Sequence, residues 1–392
     1  MKQLWKHLLS AALLPCLLAG CGAPETPAES GSSVDHLLGL TQEQRLEDYD
    51  YLVRTLADSY LCMGVRDRDN TGDLSADIFQ EYRELIQESD SDEMFYSAVY
   101  SALFRLGTYG HLQIVEPDAY RSYRQAYEDD SPADRAHWRE VLTDPGTVQG
   151  YEKLQALLDT MGATDSSAAP DDSGEPAANL HTLILPGGDV GYVKIDRFPA
   201  EPEDAYEADR AALWAFYQQA ADCTDLIIDL TDNSGGSEVY WQQLLAAPLT
   251  DRPLSCTHYA LLADSANNHP YIEDAFSPEE LHPIAQLPDL PELERDGIQA
   301  ATHFVESTLS VEPAAERAPF HGRIWVLVGP AVYSASESFA VFCQETGFAT
   351  LVGSPTGGDG IGALDPVFLQ LPNSGILVQF TMMFGLNSDG SS

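Results

Sequence analysis

From residue 181 onward the chain alternates short β-branched apolar runs with longer amphipathic stretches, and glycines mark several of the changeovers. Residues 182–185, 190–195, 225–230, 324–328 and 350–352 read as strands, and 204–221, 238–246 and 335–346 as helices. Strands this apolar are buried on both faces, so the helices must cover them. The pattern therefore predicts an α/β fold built on a mostly parallel sheet. Residues 36–162 carry helical periodicity instead, as in 79–86 and 94–104, and predict a helical domain in front of that core. Between them, residues 163–180 are rich in Ala, Ser, Asp and Pro and read as a disordered linker. The core then occupies residues 181–392.

Two strand-to-helix junctions carry chemistry. At the first, Ile324-Trp325-Val326-Leu327-Val328 ends at Gly329-Pro330 and leads into Ala331-Val332-Tyr333-Ser334-Ala335-Ser336-Glu337. A serine at such a junction is exposed at the sheet edge and faces the positive end of a helix dipole, a suitable place for a nucleophile. The same letters also spell a capping box, with Ser334 as the N-cap and Glu337 three residues on. At the second, the strand Leu226-Ile227-Ile228-Asp229-Leu230 runs through Thr231-Asp232-Asn233-Ser234 into Gly235-Gly236. Adjacent glycines let backbone amides turn outward toward a ligand, where they can stabilise an oxyanion. A plain capped turn is the structural alternative.

A third element is Leu106-Gly107-Thr108-Tyr109-Gly110-His111, which comes after a helical run. His111 has this glycine setting on a turn, and an imidazole can serve as general base near neutral pH.

Taken together, these pieces resemble the C-terminal processing and tricorn-type serine peptidases, whose core is similar to the crotonase and Clp-protease folds. Gly191-Tyr192-Val193-Lys194-Ile195-Asp196-Arg197-Phe198 is similar to the family's Gly-Tyr-Ile strand. Asp229 to Gly236, Ser334 to Glu337 and Gly353-Ser354-Pro355-Thr356-Gly357-Gly358 succeed it in the family's order. The resemblance implies a crotonase/Clp-like core with Ser334 as nucleophile, an oxyanion site at the amides of Gly235, Gly236 and Ala335, and no cofactor. In the processing branch a lysine about twenty-five residues after the serine is the base; here Asp359 stands there. Outside the first twenty residues the chain has only Lys153 and Lys194, neither of them beyond Ser334. The tricorn-like branch uses a histidine from the N-terminal part, which implies His111. The acid that orients this histidine in relatives has no counterpart before Ser392, which predicts a C-terminally incomplete core. Asp359 and Asp365 are the candidate replacements. The implied activity is endopeptidase cleavage of peptides or unfolded protein. An inactive peptide-binding or scaffold protein on the same fold is the alternative, and an acyl-CoA enzyme rests on fold analogy alone.

The first twenty residues read as an export signal, with Lys2 and Lys6 before an apolar stretch too short to span a bilayer. It ends Leu18-Ala19-Gly20-Cys21, which resembles the lipobox of bacterial lipoproteins and predicts lipidation at Cys21. Residues 21–35 would be a flexible tether, and the protein would sit in the cell envelope, anchored to the membrane by lipid alone. A formal charge of −42 argues against nucleic acid or an anionic membrane surface as partner. Cys62, Cys223, Cys256 and Cys343 are scattered without metal-site spacing, so no metal is expected; a disulfide is open to them outside the cell, and spacing does not choose its pairing. The segment Asp67 to Asp73 resembles the start of a calcium loop, but Ile78 stands where a bidentate glutamate belongs, so it reads as a solvated turn.

Overall fold

The computed structural model describes residues 36–392 apart from 70–71, 108, 130–134, 163–177, 202, 359 and 362–365. The export signal, the tether with Cys21, nearly all of the linker, and both candidate acids, Asp359 and Asp365, lie outside the described residues. The N-terminal part is helical: α1 (Gln42–Ser59), α2 (Leu61–Asp69), α3 (Ser75–Gln87) and α4 (Asp92–Leu106), then strand β1 (Gln113–Ile114), then α5 (Pro117–Asp129), α6 (Ala136–Thr143) and α7 (Pro145–Met161). Local chemistry sets these boundaries. Thr41 caps α1 with a reciprocal capping box through Gln44. Asp144 caps α7, which has Pro145 in its first turn and left-handed Gly162 at its end.

The remaining elements are β2 (Leu180–Ile184), β3 (Val190–Ile195), α8 (Asp204–Gln219), β4 (Asp225–Asp229), α9 (Glu238–Tyr240), α10 (Ala247–Leu249), β5 (Leu254–Leu262), α11 (His269–Ala275), β6 (His282–Pro283), β7 (His303–Val311), β8 (Arg323–Val328), α12 (Ala335–Thr346), β9 (Thr350–Gly353), β10 (Val367–Gln370), β11 (Leu377–Phe380) and β12 (Met383–Leu386). A π-helical turn, Trp241–Ala246, joins α9 to α10 where one continuous helix was expected.

The central sheet has the order β2-β3-β4-β8-β9. Its β3-β4-β8-β9 run is parallel, as the alternation predicts, and β2 adds an antiparallel edge. This is the expected α/β architecture behind an N-terminal helical region. Two further sheets are antiparallel: β12-β5-β7-β6 and β1-β11-β10. They divide the core unexpectedly. Residues of α1 to α7 share one apolar cluster with β5, β7, β10, β11 and β12. The central sheet, with α8 and α12, buries a second cluster around Ile228, Trp241, Val326 and Phe339. The helical region is therefore tied to late strands of the chain, and residues Val34–Ser392 form one compact unit. A buried ion pair helps fix the helices, with Arg45 Nε 3.1 Å from Asp92 Oδ1. The second Asp92 oxygen accepts the Gly39 amide at 3.0 Å.

Strand β1 ties the histidine turn to the end of the chain. It begins two residues after His111 and pairs antiparallel with β11, Gln113 opposite Gln379. Just beyond β11, the Thr381 amide donates to the Gly110 carbonyl at 2.6 Å. The turn that carries His111 is thus hydrogen-bonded to the C-terminal strands.

Candidate active site

Ser334 lies between the end of β8 and the first residue of α12, at the expected junction. Its backbone sits at φ 56°, ψ −126°. That conformation corrects one expectation. A capping hydroxyl needs an extended N-cap residue to reach back to the helix amides; at a positive φ it turns away, and the Ser334 side chain makes no capping hydrogen bond. Glu337, the other half of the expected box, instead accepts the Gly358 amide at 3.3 Å. The hydroxyl that holds the helix start is that of fully buried Ser336. Its Oγ accepts the Tyr333 amide at 3.0 Å and lies 2.7 Å from the Asn233 carbonyl, to which it can donate.

That bond to Asn233 joins the two glycine-marked junctions. Gly235 packs directly on the serine: a Cβ there would stand 3.0 Å from Ser334 Cβ and 2.7 Å from the Tyr333 carbonyl oxygen. Gly236 is more confined still, since its Cβ would fall 2.1 Å from the Phe198 carbonyl oxygen. Both have strongly positive φ, 108° and 127°, so glycine is required on two counts. The structure differs from expectation over which amides are available. Gly235 N–H donates to Asn233 Oδ1 at 2.8 Å and is committed to holding the loop. Among the described residues no acceptor engages the amides of Gly236 and Ala335. Asn233 is itself buried, its amide donating to the Ile195 carbonyl at 3.1 Å. Its position before the glycine pair was the signal available in the sequence for this role.

The strand below the loop is held by Tyr192, whose hydroxyl donates to Asp229 Oδ2 at 2.6 Å. Burial first, then the neighbouring carboxylate, pushes the Tyr192 phenol up to about 12. Burial works against ionised Asp229, but the hydrogen bonds from Tyr192 and Thr231 prevail and hold its carboxyl below the usual range.

His111 reaches the same place from the helical region. It sits on a single 3₁₀ turn, Tyr109–His111, at φ 57°. Its backbone amide donates to the Tyr333 hydroxyl at 3.1 Å, and the His111 and Tyr333 rings meet edge to face with centroids 5.0 Å apart. Tyr333 immediately precedes Ser334, so one side chain connects the histidine turn to the serine turn. Tyr109 closes over Gly358, where a Cβ would be 2.7 Å from its ring. Gly358 in turn accepts the Ser334 amide at 3.2 Å through its carbonyl. Among the described residues, His111 and Ser334 are the non-glycine residues with positive φ.

The lysines are occupied elsewhere. Lys194 Nζ lies 2.5 Å from Asp232 Oδ2, and Lys153 Nζ donates to the Leu38 carbonyl at 3.0 Å. In the calcium-like segment, Asp67 Oδ1 accepts the Ser75 amide at 2.8 Å, and Asp73 pairs with Arg105 at 2.7 Å. Cys223, Cys256 and Cys343 are buried free thiols, and burial pushes Cys256 up to about 11.

The profile of Peptidase family S41 matches residues 189–392, more than half of the chain and the whole stretch that holds both glycine-marked junctions. The chain belongs to peptidase family S41. It is therefore a serine-type peptidase at the level of its family, and its fold is shared by solved peptidases. A putative peptidase from Parabacteroides merdae superposes with a TM-score of 0.51 at 16% identity, covering 90% of this chain and 86% of that one. Mature CPAF complexed with lactacystin gives a TM-score of 0.50 at 12% identity, covering 89% and 91%. At such identities the likeness concerns the fold. Curated protein sequences gave no match.

Proposed function

We propose that this S41 chain is an endopeptidase acting on peptides or unfolded protein, with Ser334 as nucleophile and His111 as general base. One observation carries the reading. The two non-glycine residues strained into positive φ among the described residues, His111 and Ser334, come from distant parts of the chain and meet through Tyr333. Strain of this kind costs on the order of 1–3 kcal/mol per residue and collects at functional sites.

In the proposed reaction Ser334 Oγ attacks the peptide carbonyl while His111 takes the hydroxyl proton. The developing oxyanion is met by the amides of Gly236 and Ala335. His111 returns the proton to the departing amine, and water, activated by the same imidazole, releases the acyl group and restores the serine. Loss of one such amide donor typically lowers turnover by about 10²–10³.

The lipobox-like Leu18-Ala19-Gly20-Cys21 extends the proposal to an envelope protein tethered through a lipid on Cys21. No described helix is long and apolar enough to cross a membrane. Hydrolysis of denatured casein by wild-type protein, reduced to background by Ser334→Ala, is the expected result. Equal rates for the two proteins would overturn the assignment. Palmitate incorporation that persists in Cys21→Ala would separately refute the anchor.

A further inference from the structure

Beside the nucleophile lies a cavity of about 290 Å³ that the proposed reaction does not use. Its floor is one face of the antiparallel sheet, where His258 and Ala260 of β5 stand opposite Ser307 and Val305 of β7. Met383 of β12 and Phe276 add apolar wall. Its polar groups come from both sides of the proposed active site. Ser338 is on α12, one turn beyond Ser334, and its amide donates to the Ser334 carbonyl at 2.9 Å. Glu238 opens α9, two residues after Gly236.

Glu238 lines the cavity from its solvent-exposed side, and crowding by the surrounding walls raises its carboxyl above the usual range against a hydrogen bond from Ser338. His258 is 5% exposed, and its Nε2 has no hydrogen-bond partner among the described residues. Burial lowers its pKa, so it adds no positive charge to the cavity near neutrality. The cavity therefore offers a carboxylate in a mostly apolar setting, with a neutral imidazole and hydroxyls around it. Apolar walls suit an aliphatic stem, and the Glu238 carboxylate, with one hydroxyl donor from Ser338, is open to a cation. The net charge of −42 favours approach of cationic rather than anionic peptides.

Chain position bounds which substrate residue is involved. Two residues of backbone span at most about 7 Å, which keeps Glu238 near the oxyanion amide of Gly236, on the scale of a flexible four-carbon lysine stem. The geometry points to this cavity as a specificity pocket in which Glu238 receives the lysine or arginine side chain of the residue whose carbonyl Ser334 attacks. The inference rests on the peptidase reading for its place in the reaction, but the binding preference can be measured without turnover.

The test uses full-length Ser334→Ala protein and fluorescein-labelled Ala-Ala-X-Ala-Ala peptides with X as lysine, norleucine or glutamate, read by anisotropy. Lysine is expected to bind roughly tenfold or more tighter than norleucine, the scale of a charge-assisted contact. Glu238→Gln should collapse that ratio toward one, and Glu238→Lys should turn the preference to the glutamate peptide. A lysine-to-norleucine ratio near one, a ratio untouched by Glu238→Gln, or no binding of any peptide would overturn the pocket. Cleavage by the wild-type protein separates the two claims. Turnover without lysine preference leaves the peptidase reading standing and the pocket refuted; lysine preference without turnover does the reverse.

Discussion

Replacing Ser336 with alanine removes one oxygen and unfastens two loops at once. Its hydroxyl accepts the Tyr333 amide at 3.0 Å and can donate to the Asn233 carbonyl at 2.7 Å or the Tyr333 carbonyl at 2.9 Å. One hydroxyl proton serves one acceptor at a time, and the shorter contact goes to Asn233, which is fully buried. Alanine leaves the Asn233 carbonyl unpaired in the interior and the Tyr333 amide unpaired at a partly buried position. An unsatisfied buried group costs about 1–3 kcal/mol; the fully buried carbonyl carries most of this, and the accessible amide adds less. A loss of about 2–3 kcal/mol in a denaturant titration is therefore expected. The functional loss should be larger than stability alone explains. The bond ties the Ser334 turn to the glycine loop, and a displacement of about 1 Å at a reacting group can cost on the order of 10²-fold. Hydrolysis of p-nitrophenyl acetate, corrected for the Ser334→Ala background, reports it. Ser310→Ala, at an exposed position on β7, is the control and should change stability by less than about 0.5 kcal/mol. If Ser336→Ala matched that control in stability and kept wild-type turnover, the claim that Ser336 fastens the serine turn would be refuted.

The same geometry has other consequences. Gly188→Ala, at φ 83° with open space for a Cβ, should cost only the left-handed penalty of about 1–2 kcal/mol. Gly236→Ala, whose Cβ would press on the Phe198 carbonyl, should cost clearly more and abolish esterase turnover; equal denaturation midpoints would contradict the close approach. Asp92→Ala strands the buried Arg45 guanidinium and should lose about 3–5 kcal/mol in the same titration. Glu238 gives a pH signature. Its carboxyl is harder to ionise in the folded protein than in the unfolded chain, so its ionisation destabilises the fold as pH rises past the unfolded value. Glu238→Gln should therefore raise the melting temperature at pH 8 relative to wild type and leave it nearly unchanged at pH 4; the opposite order would contradict the raised pKa.

The central sheet was legible because a fully buried parallel strand leaves a plain mark, a β-branched run closed by turn residues. Helix α12 matched its expected span of 335–346 for a similar reason, with an apolar face between a serine-rich start and Gly347. The antiparallel sheets left weaker marks. Strand β7 alternates buried and exposed residues irregularly, and β1 has two residues, too few for any periodicity. Pairing between residues 113 and 379 is a property of the folded chain, and no local pattern announces it. The site divides in the same way. Ser334, His111 and the glycine pair stand out as single residues in unusual settings. The commitment of the Gly235 amide to Asn233, two residues away, depends on a side-chain orientation that the letters do not show, and that of the helix start to Ser336 rather than Ser334 depends on a contact across about a hundred positions. Competition between two chemically similar serines is settled by backbone conformation. The positive φ of Ser334 removes its hydroxyl from capping, whereas that of Ser336 turns inward.

The most direct measurement is fluorophosphonate labelling of the full-length protein with peptide mapping of the adduct. A serine activated by an imidazole reacts with this probe and an ordinary surface serine does not. The account predicts a single adduct on Ser334, lost in Ser334→Ala and strongly slowed in His111→Ala while circular dichroism stays unchanged. Labelling at another serine, or a Ser334 adduct that forms equally fast without His111, would contradict it.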